Sequence, residues 1–318
     1  MQAFHKSDSL LAFNIPTLNA LSKILIALVA VVLVACLVSP VAYEIGQALS
    51  GVIPAAGGFP FHRYFSRSVQ VCAIIAVVPL VFWIGVRNVR ELGIEKNPFA
   101  RTDFFAGLLA ALAPGMVLAL VTIQMDVFRV RNEHEFTHLL RILLTAGFVA
   151  VIEEFLFRGV LLGLALRVVG RVWAVLITSA AFAAVHFVRP SKTAVGEVSW
   201  TSGFAQAVVS LQDMPPWPLL GYGVVTLFFS GMVLAWVTLR TRSLWPAIGL
   251  HAGWIFGQQG LAWLAKFRAR PLEEFLPWIG PNLVSGAVPT GLVPLVALGA
   301  GAIGMFVYFR YGRRPSGT

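Results

Sequence analysis

The sequence predicts an all-α polytopic membrane protein of about eight transmembrane helices in one bundle. Hydrophobic residues make up 58% of the 318 positions and charged residues only 12%, a balance foreign to soluble globular domains. The apolar residues fall into eight runs, most of them close to the ~20 residues that a bilayer core requires. Basic residues stand in twos and threes between those runs, as topology determinants do. The net charge of +10 invites a nucleic-acid reading. The basic residues, however, form neither a patch nor a stripe interleaved with aromatics, so no nucleic-acid partner is expected.

The runs lie at about 22–43, 68–87, 104–125, 139–169, 171–188, 217–239, 243–265 and 290–309. The N-terminal segment carries His5, Lys6 and Asp8, and the run after Lys23 is long enough to span. It is therefore expected to be an anchor rather than a cleaved signal peptide. With the N-terminus inside, thirteen basic residues fall on internal connections and ten on external ones. The internal connections are short and basic, which favours an even number of spans and both termini cytoplasmic, as in an ordinary bacterial inner-membrane protein. The longer external connections, 189–216 and 266–289, hold Pro190, Pro215, Pro216, Pro271, Pro277, Pro281 and Pro289, with Pro218 just after the first. Trp200, Trp217 and Trp278 suit headgroup depth. Cys36 and Cys72 occupy separate runs without metal-type spacing and are read as packing residues. No repeat or shift in composition divides the chain, so residues 1–318 are expected to form a single integral membrane domain.

The fourth run contains Val151-Ile152-Glu153-Glu154-Phe155-Leu156-Phe157-Arg158-Gly159. Each central charge in a span costs at least ~2.5 kcal/mol, so three in six residues call for a reason. At ~100° per residue, Glu154 and Arg158 lie about 40° apart on adjacent turns and can form an ion pair. Glu153, about 140° from Arg158, is left over. A carboxylate left without a direct cation in a low dielectric suits a proton acceptor working near neutrality. The blander reading of the same charges is a network that fixes helix packing.

Histidines stand in two later runs, His186 in Phe182-Ala183-Ala184-Val185-His186 and His251 in Gly249-Leu250-His251-Ala252-Gly253. Imidazole needs partners that lipid does not supply, so each marks a site or a helix-to-helix hydrogen bond. Runs four and five meet near Gly170 and are expected to pack as an antiparallel pair. Glu153 and His186 then both lie roughly 25 Å from the turn. Small Ala180, Ala181, Ala183 and Ala184 permit close approach. His251 lies only ~13 Å beyond the connection after Arg242, so that connection must be recessed, or its helix tilted, for the three to meet.

Glu-Glu-x-x-x-Arg (Glu153, Glu154, Arg158), Phe-x-x-x-His (Phe182, His186) and a third-motif histidine (His251) follow one another on late helices. In this order they resemble the CPBP or Abi family of intramembrane endopeptidases, which includes the type II CAAX prenyl endopeptidases. The resemblance covers about residues 140–262, the expected protease core. It implies hydrolysis of a peptide bond in or near the membrane, with Glu153 and His186 activating water and His251 supporting the oxyanion. Such a donor is worth ~3 to 4 kcal/mol in a dry site. Glu154 belongs to the catalytic motif and to the structural ion pair with Arg158, and Phe182 is placed to wall the pocket or merely to pack. The family usually has a polar residue four positions after the third-motif histidine, where this chain has Ile255, which donates no hydrogen bond. Gln258 is about 10 Å further along the helix, too far for a simple replacement.

Other readings compete with the glutamic peptidase. His186, His251 and a glutamate make a respectable zinc set. No His-Glu-x-x-His is present, however, and the expected enzyme needs no cofactor, with zinc the lesser alternative. Intramembrane Glu and His also serve proton-coupled transport, against which stands the lack of paired repeats. Ile255 is the best argument for a non-catalytic scaffold of the same fold. Expected partners are a peptide or membrane-protein substrate and the lipid bilayer.

Overall fold

A computed structural model of the chain describes residues 15–53, 57–92, 94–187, 191–192, 196–213, 217–268, 274–280 and 291–313. The readings placed on the two termini, with His5, Lys6, Asp8 and Arg314, lie outside the described residues. So do those on Arg189, Pro190, Pro215, Pro216, Arg270, Pro271, Pro281 and Pro289. The long helices are α1 (Ile15–Ala48), α2 (Phe61–Ile84), α3 (Ala100–Gln124) and α4 (Phe136–Glu154). A π-helical turn (Phe155–Leu161) joins α4 to α5 (Leu162–Val168), and α6 (Arg171–Phe187) returns after Gly170. Then come α7 (Ser202–Gln212), α8 (Trp217–Thr241), α9 (Trp245–Leu264) and α10 (Leu292–Val307), the last ending in a second π-helical turn (Tyr308–Gly312). Every apolar run of the sequence is helical. The helix α7 and a two-stranded antiparallel ribbon, β1 (Phe128–Val130) with β2 (Ala265–Phe267), were not anticipated. Each strand is three residues long, too short a pattern to separate from loop, and α7 lies in a segment whose flanking prolines mark it as a connection.

Among the described residues, five helices are long and apolar enough to cross a membrane, namely Ser22–Gly51, Phe61–Ile84, Ala100–Gln124, Trp217–Thr241 and Leu292–Gly312, and Arg171–Phe187 is a shorter apolar helix. Large apolar side chains such as Leu28, Ile75, Phe82, Leu109, Leu120, Leu144 and Phe306 are more than half exposed. A surface of this kind is at home only in lipid. The protein is an all-α polytopic membrane protein.

The chain falls into two compact units. In the first, α1 packs on α2, with Tyr43 edge-on to Phe61 and Tyr64, and Lys23 donates to the Trp83 carbonyl at 2.7 Å. Pro40 inside α1 removes the donor for the Cys36 carbonyl, which accepts instead from Ser39 Oγ at 3.4 Å. Cys36 and Cys72 are both free thiols.

The second unit, built from residues 88–194 and 205–318, carries all three polar motifs. Its axis is α9, which packs on α3, α4 and α8. A Cβ at Gly249 would run into the Phe104 carbonyl, so glycine there lets α3 and α9 touch backbone to backbone. Helix α6 packs chiefly on α8, and α4 on α9. The antiparallel pair expected from runs four and five therefore holds only near the Gly170 turn. Away from it α4 and α6 follow different neighbours, and the polar residues lie where the two diverge. Phe182, Leu227, Leu234, Leu250 and Trp254 form the main apolar core.

Candidate active site

Glu153 and Glu154 end α4, and the π-helical turn begins at the next residue. Such a turn widens the helix by one residue and recurs at functional sites. Here it buries Arg158, Gly159 and Val160 in succession. Arg158 Nη1 donates to Glu154 Oε1 at 2.7 Å, with both side chains buried, as the four-residue spacing predicts. Its Nη2 reaches the Gly231 carbonyl of α8 at 3.4 Å, and its guanidinium lies 4.3 Å from the centre of the Phe182 ring.

Glu154 has a second partner that its sequence neighbourhood does not foretell. His251 Nδ1 approaches the same Oε1 at 2.7 Å, across a separation of 97 residues. Glu154 thus joins Arg158 to His251 and is withdrawn from solvent, whereas the Glu153 side chain keeps 27% of its surface exposed. Glu153 Oε2 lies 3.5 Å from His186 Nε2 and 3.8 Å from His251 Nε2. Both are longer than the ~2.7–3.2 Å of a normal hydrogen bond, and Oε2 makes none.

The ring nitrogens are ordered by what stands behind them. His186 Nδ1 is 2.7 Å from the Phe182 carbonyl, which only accepts, so Nδ1 carries the hydrogen and Nε2 faces Glu153. The Glu154 carboxylate orders His251 in the same way, leaving its Nε2 toward Glu153. Phe182, fully buried, has its ring 4.4 Å from that of His186 and 5.7 Å from that of His251. It stands against both imidazoles and also underlies Arg158.

The depth of His251 has a specific cause. Leu244, in the connection before α9, reaches to 3.8 Å from where a Gly159 Cβ would stand, and Gly163 packs against Leu92. The α8–α9 connection is thus recessed to the level of Gly159, eleven residues before the Gly170 turn. That is a recess of roughly 16 Å along the helix, and it brings His251 level with Glu153.

Ile255, four residues after His251, is buried against Ala146, Ala150 and Ala252. Gln258 turns to another face. It lines a cavity of about 30 Å³ with Ala111, Gly115, Gly257 and Leu298, and its Oε1 has no partner. Gln258 therefore does not stand in for the missing polar residue. Among the described residues, no group of three or more His, Cys, Asp or Glu is arranged to hold a metal ion.

Residues 135–257 match the family model described as type II CAAX prenyl endopeptidase Rce1-like, a span that contains Glu153, Glu154, Arg158, Phe182, His186 and His251. No curated protein and no solved structure matches the chain.

Proposed function

Since the segment 135–257 belongs to the CAAX protease family of Rce1-like type II endopeptidases, a family of membrane peptidases acting on protein or peptide substrates, we propose a specific chemistry for its polar residues. The chain hydrolyses a peptide bond without a metal, using one water activated by Glu153 and His186. The observation that carries this reading is the convergence of His186 Nε2, at 3.5 Å, and His251 Nε2, at 3.8 Å, on Glu153 Oε2, which makes no hydrogen bond. A water stands ~2.8 Å from each acceptor it donates to, so it sits beside Glu153 Oε2 and His186 Nε2 rather than between them, donating to both with its lone pairs free for attack. As the oxygen–carbon bond forms, a proton passes to Glu153. When the carbon–nitrogen bond breaks, Glu153 returns that proton to the leaving amine.

His251 faces the same point and supports the oxyanion through Nε2–H. In that role both its ring nitrogens carry hydrogen, since Nδ1 donates to Glu154. Glu154 and Arg158 orient this imidazole and do not touch the reacting atoms. The substrate is a protein or peptide in or at the bilayer. The basic connections face the cytoplasm of a bacterial inner membrane, with both termini on that side and eight crossings in all.

Proteomic comparison of membrane fractions from cells carrying wild type or Glu153→Gln tests the reading, and a peptide product present only with wild type is expected. Purified enzyme should keep its turnover after chelation. Stoichiometric zinc whose removal abolishes cleavage would replace the glutamic mechanism with a zinc one. The scaffold alternative draws on Ile255, and full biological effect of Glu153→Gln and His186→Ala would establish it.

A further inference from the structure

In the proposed chemistry His251 must stand level with Glu153, and this depends on a connection sunk into the bundle. Arg242, in that connection, has φ of +52°, the left-handed region that a non-glycine residue adopts at a cost. Its carbonyl accepts the Glu95 N–H at 2.8 Å, and its guanidinium donates to the Glu95 carboxylate at 2.6 Å. Ser243, next in the chain, accepts from Asn97 Nδ2 at 3.1 Å.

Asn97 belongs to a polar cluster remote from the active site. Its Nδ2 also donates to Asp103 Oδ2 at 2.7 Å, and its Oδ1 accepts from the Phe99 N–H at 2.9 Å and from Arg313 Nη2 at 3.2 Å. Asp103 is fully buried at the start of α3. It accepts from the Tyr308 hydroxyl at 2.8 Å and pairs with Arg313 at 3.2 Å. A buried carboxylate is tolerated only when held by several donors, and here they come from the connector before α3 and from the end of α10. Asn97, Asp103, Tyr308 and Arg313 all lie outside the family-matched segment 135–257.

We propose that Asp103, Asn97, Tyr308 and Arg313 form a positioning clamp that grips Ser243 and so sets the depth of His251, eight residues further on. The family-matched segment carries the chemistry, and the flanking helices hold its third motif in register. This deepens the proposed function, yet its geometric content can be tested without any substrate.

The reporter is a Gly159→Cys/Leu244→Cys pair in the full chain, with Cys36 and Cys72 replaced by Ala, treated in lipid nanodiscs with a short methanethiosulfonate cross-linker. The pair should cross-link readily. Adding Asp103→Asn or Tyr308→Phe should slow the reaction several-fold, and Arg313→Lys should slow it less. Unchanged rates in these variants, or a parent pair that does not cross-link, would overturn the clamp. Should Asp103→Asn fail to fold, Tyr308→Phe, which removes a single hydroxyl, carries the test.

A kinetic arm uses a prenylated CAAX peptide as probe. Asp103→Asn should lower kcat by about tenfold to a hundredfold at unchanged KM, as a small misplacement of a reacting group does. On a His251→Ala background it should cause no further loss. An equal loss on both backgrounds would mean that the cluster does not act through His251. If Glu153→Gln retained turnover, the hydrolytic reading would fall while the cross-linking result stood.

Discussion

Glu153 and Glu154 are neighbours in the chain, and His251 approaches both. One is part-exposed between two imidazoles; the other is sealed against Arg158. The two should therefore fail differently when replaced. Glu153→Gln and His186→Ala are expected to lower turnover by several orders of magnitude with thermal unfolding almost unchanged. Glu154→Ala and Arg158→Ala strand a buried charge and should also cost about 3 to 5 kcal/mol of stability. Equal loss of folded protein in all four, measured by thermal denaturation in detergent, would contradict this division. Ile255 makes a further case. It is lodged in an apolar cluster with Ala146 and Ala150. Ile255→Asn should thus cost about 1 to 3 kcal/mol for an unpaired amide and leave kcat no higher. A gain in turnover on a prenylated CAAX peptide would show that the asparagine reaches the oxyanion.

At the level of the helices, the placing of Arg158 depends on α8 as much as on its own turn. Its second contact is the carbonyl of Gly231, and a Cβ at Gly231 would stand 2.9 Å from the Ser179 Cα of α6. Gly231→Ala should push α6 and α8 apart, cost about 1 to 3 kcal/mol as overpacking does, and lower kcat through Phe182 and His186 on α6. Calorimetry together with peptide turnover checks this, and an alanine variant of native stability and rate would show that the helices shift freely. The helices themselves were legible from apolar runs, and the Glu154–Arg158 pair from a spacing of four. The separation of α4 from α6 was not, because the partner of each is chosen by faces on α8 and α9 that no local pattern connects to them.

For the molecule as a whole, one end of the second unit holds the pairs of Glu95 with Arg242 and of Asp103 with Arg313. The β1–β2 ribbon closes the other end. Gly170 and Lys266 are exposed at these opposite ends. In a background without Cys36 and Cys72, Gly170→Cys should react with a membrane-impermeant maleimide only after the cells are permeabilised, and Lys266→Cys in intact cells. Labelling of both from one side would rule out the proposed orientation.

Composition and charge spacing alone determined that this chain lives in a membrane as a helical bundle, because the cost of exposing backbone and charge to lipid acts on every residue locally. The order of Glu153, Glu154, Arg158, His186 and His251 marked the polar residues for the same reason. Only the tertiary structure decided that His251 lies beside both glutamates, that its connection is sunk to the level of Gly159, and that Ile255 faces α4. Those outcomes depend on contacts between residues some hundred positions apart, such as Glu154 with His251 and Asn97 with Ser243. Distances of that kind are fixed by packing across several helices rather than by the period of any one of them.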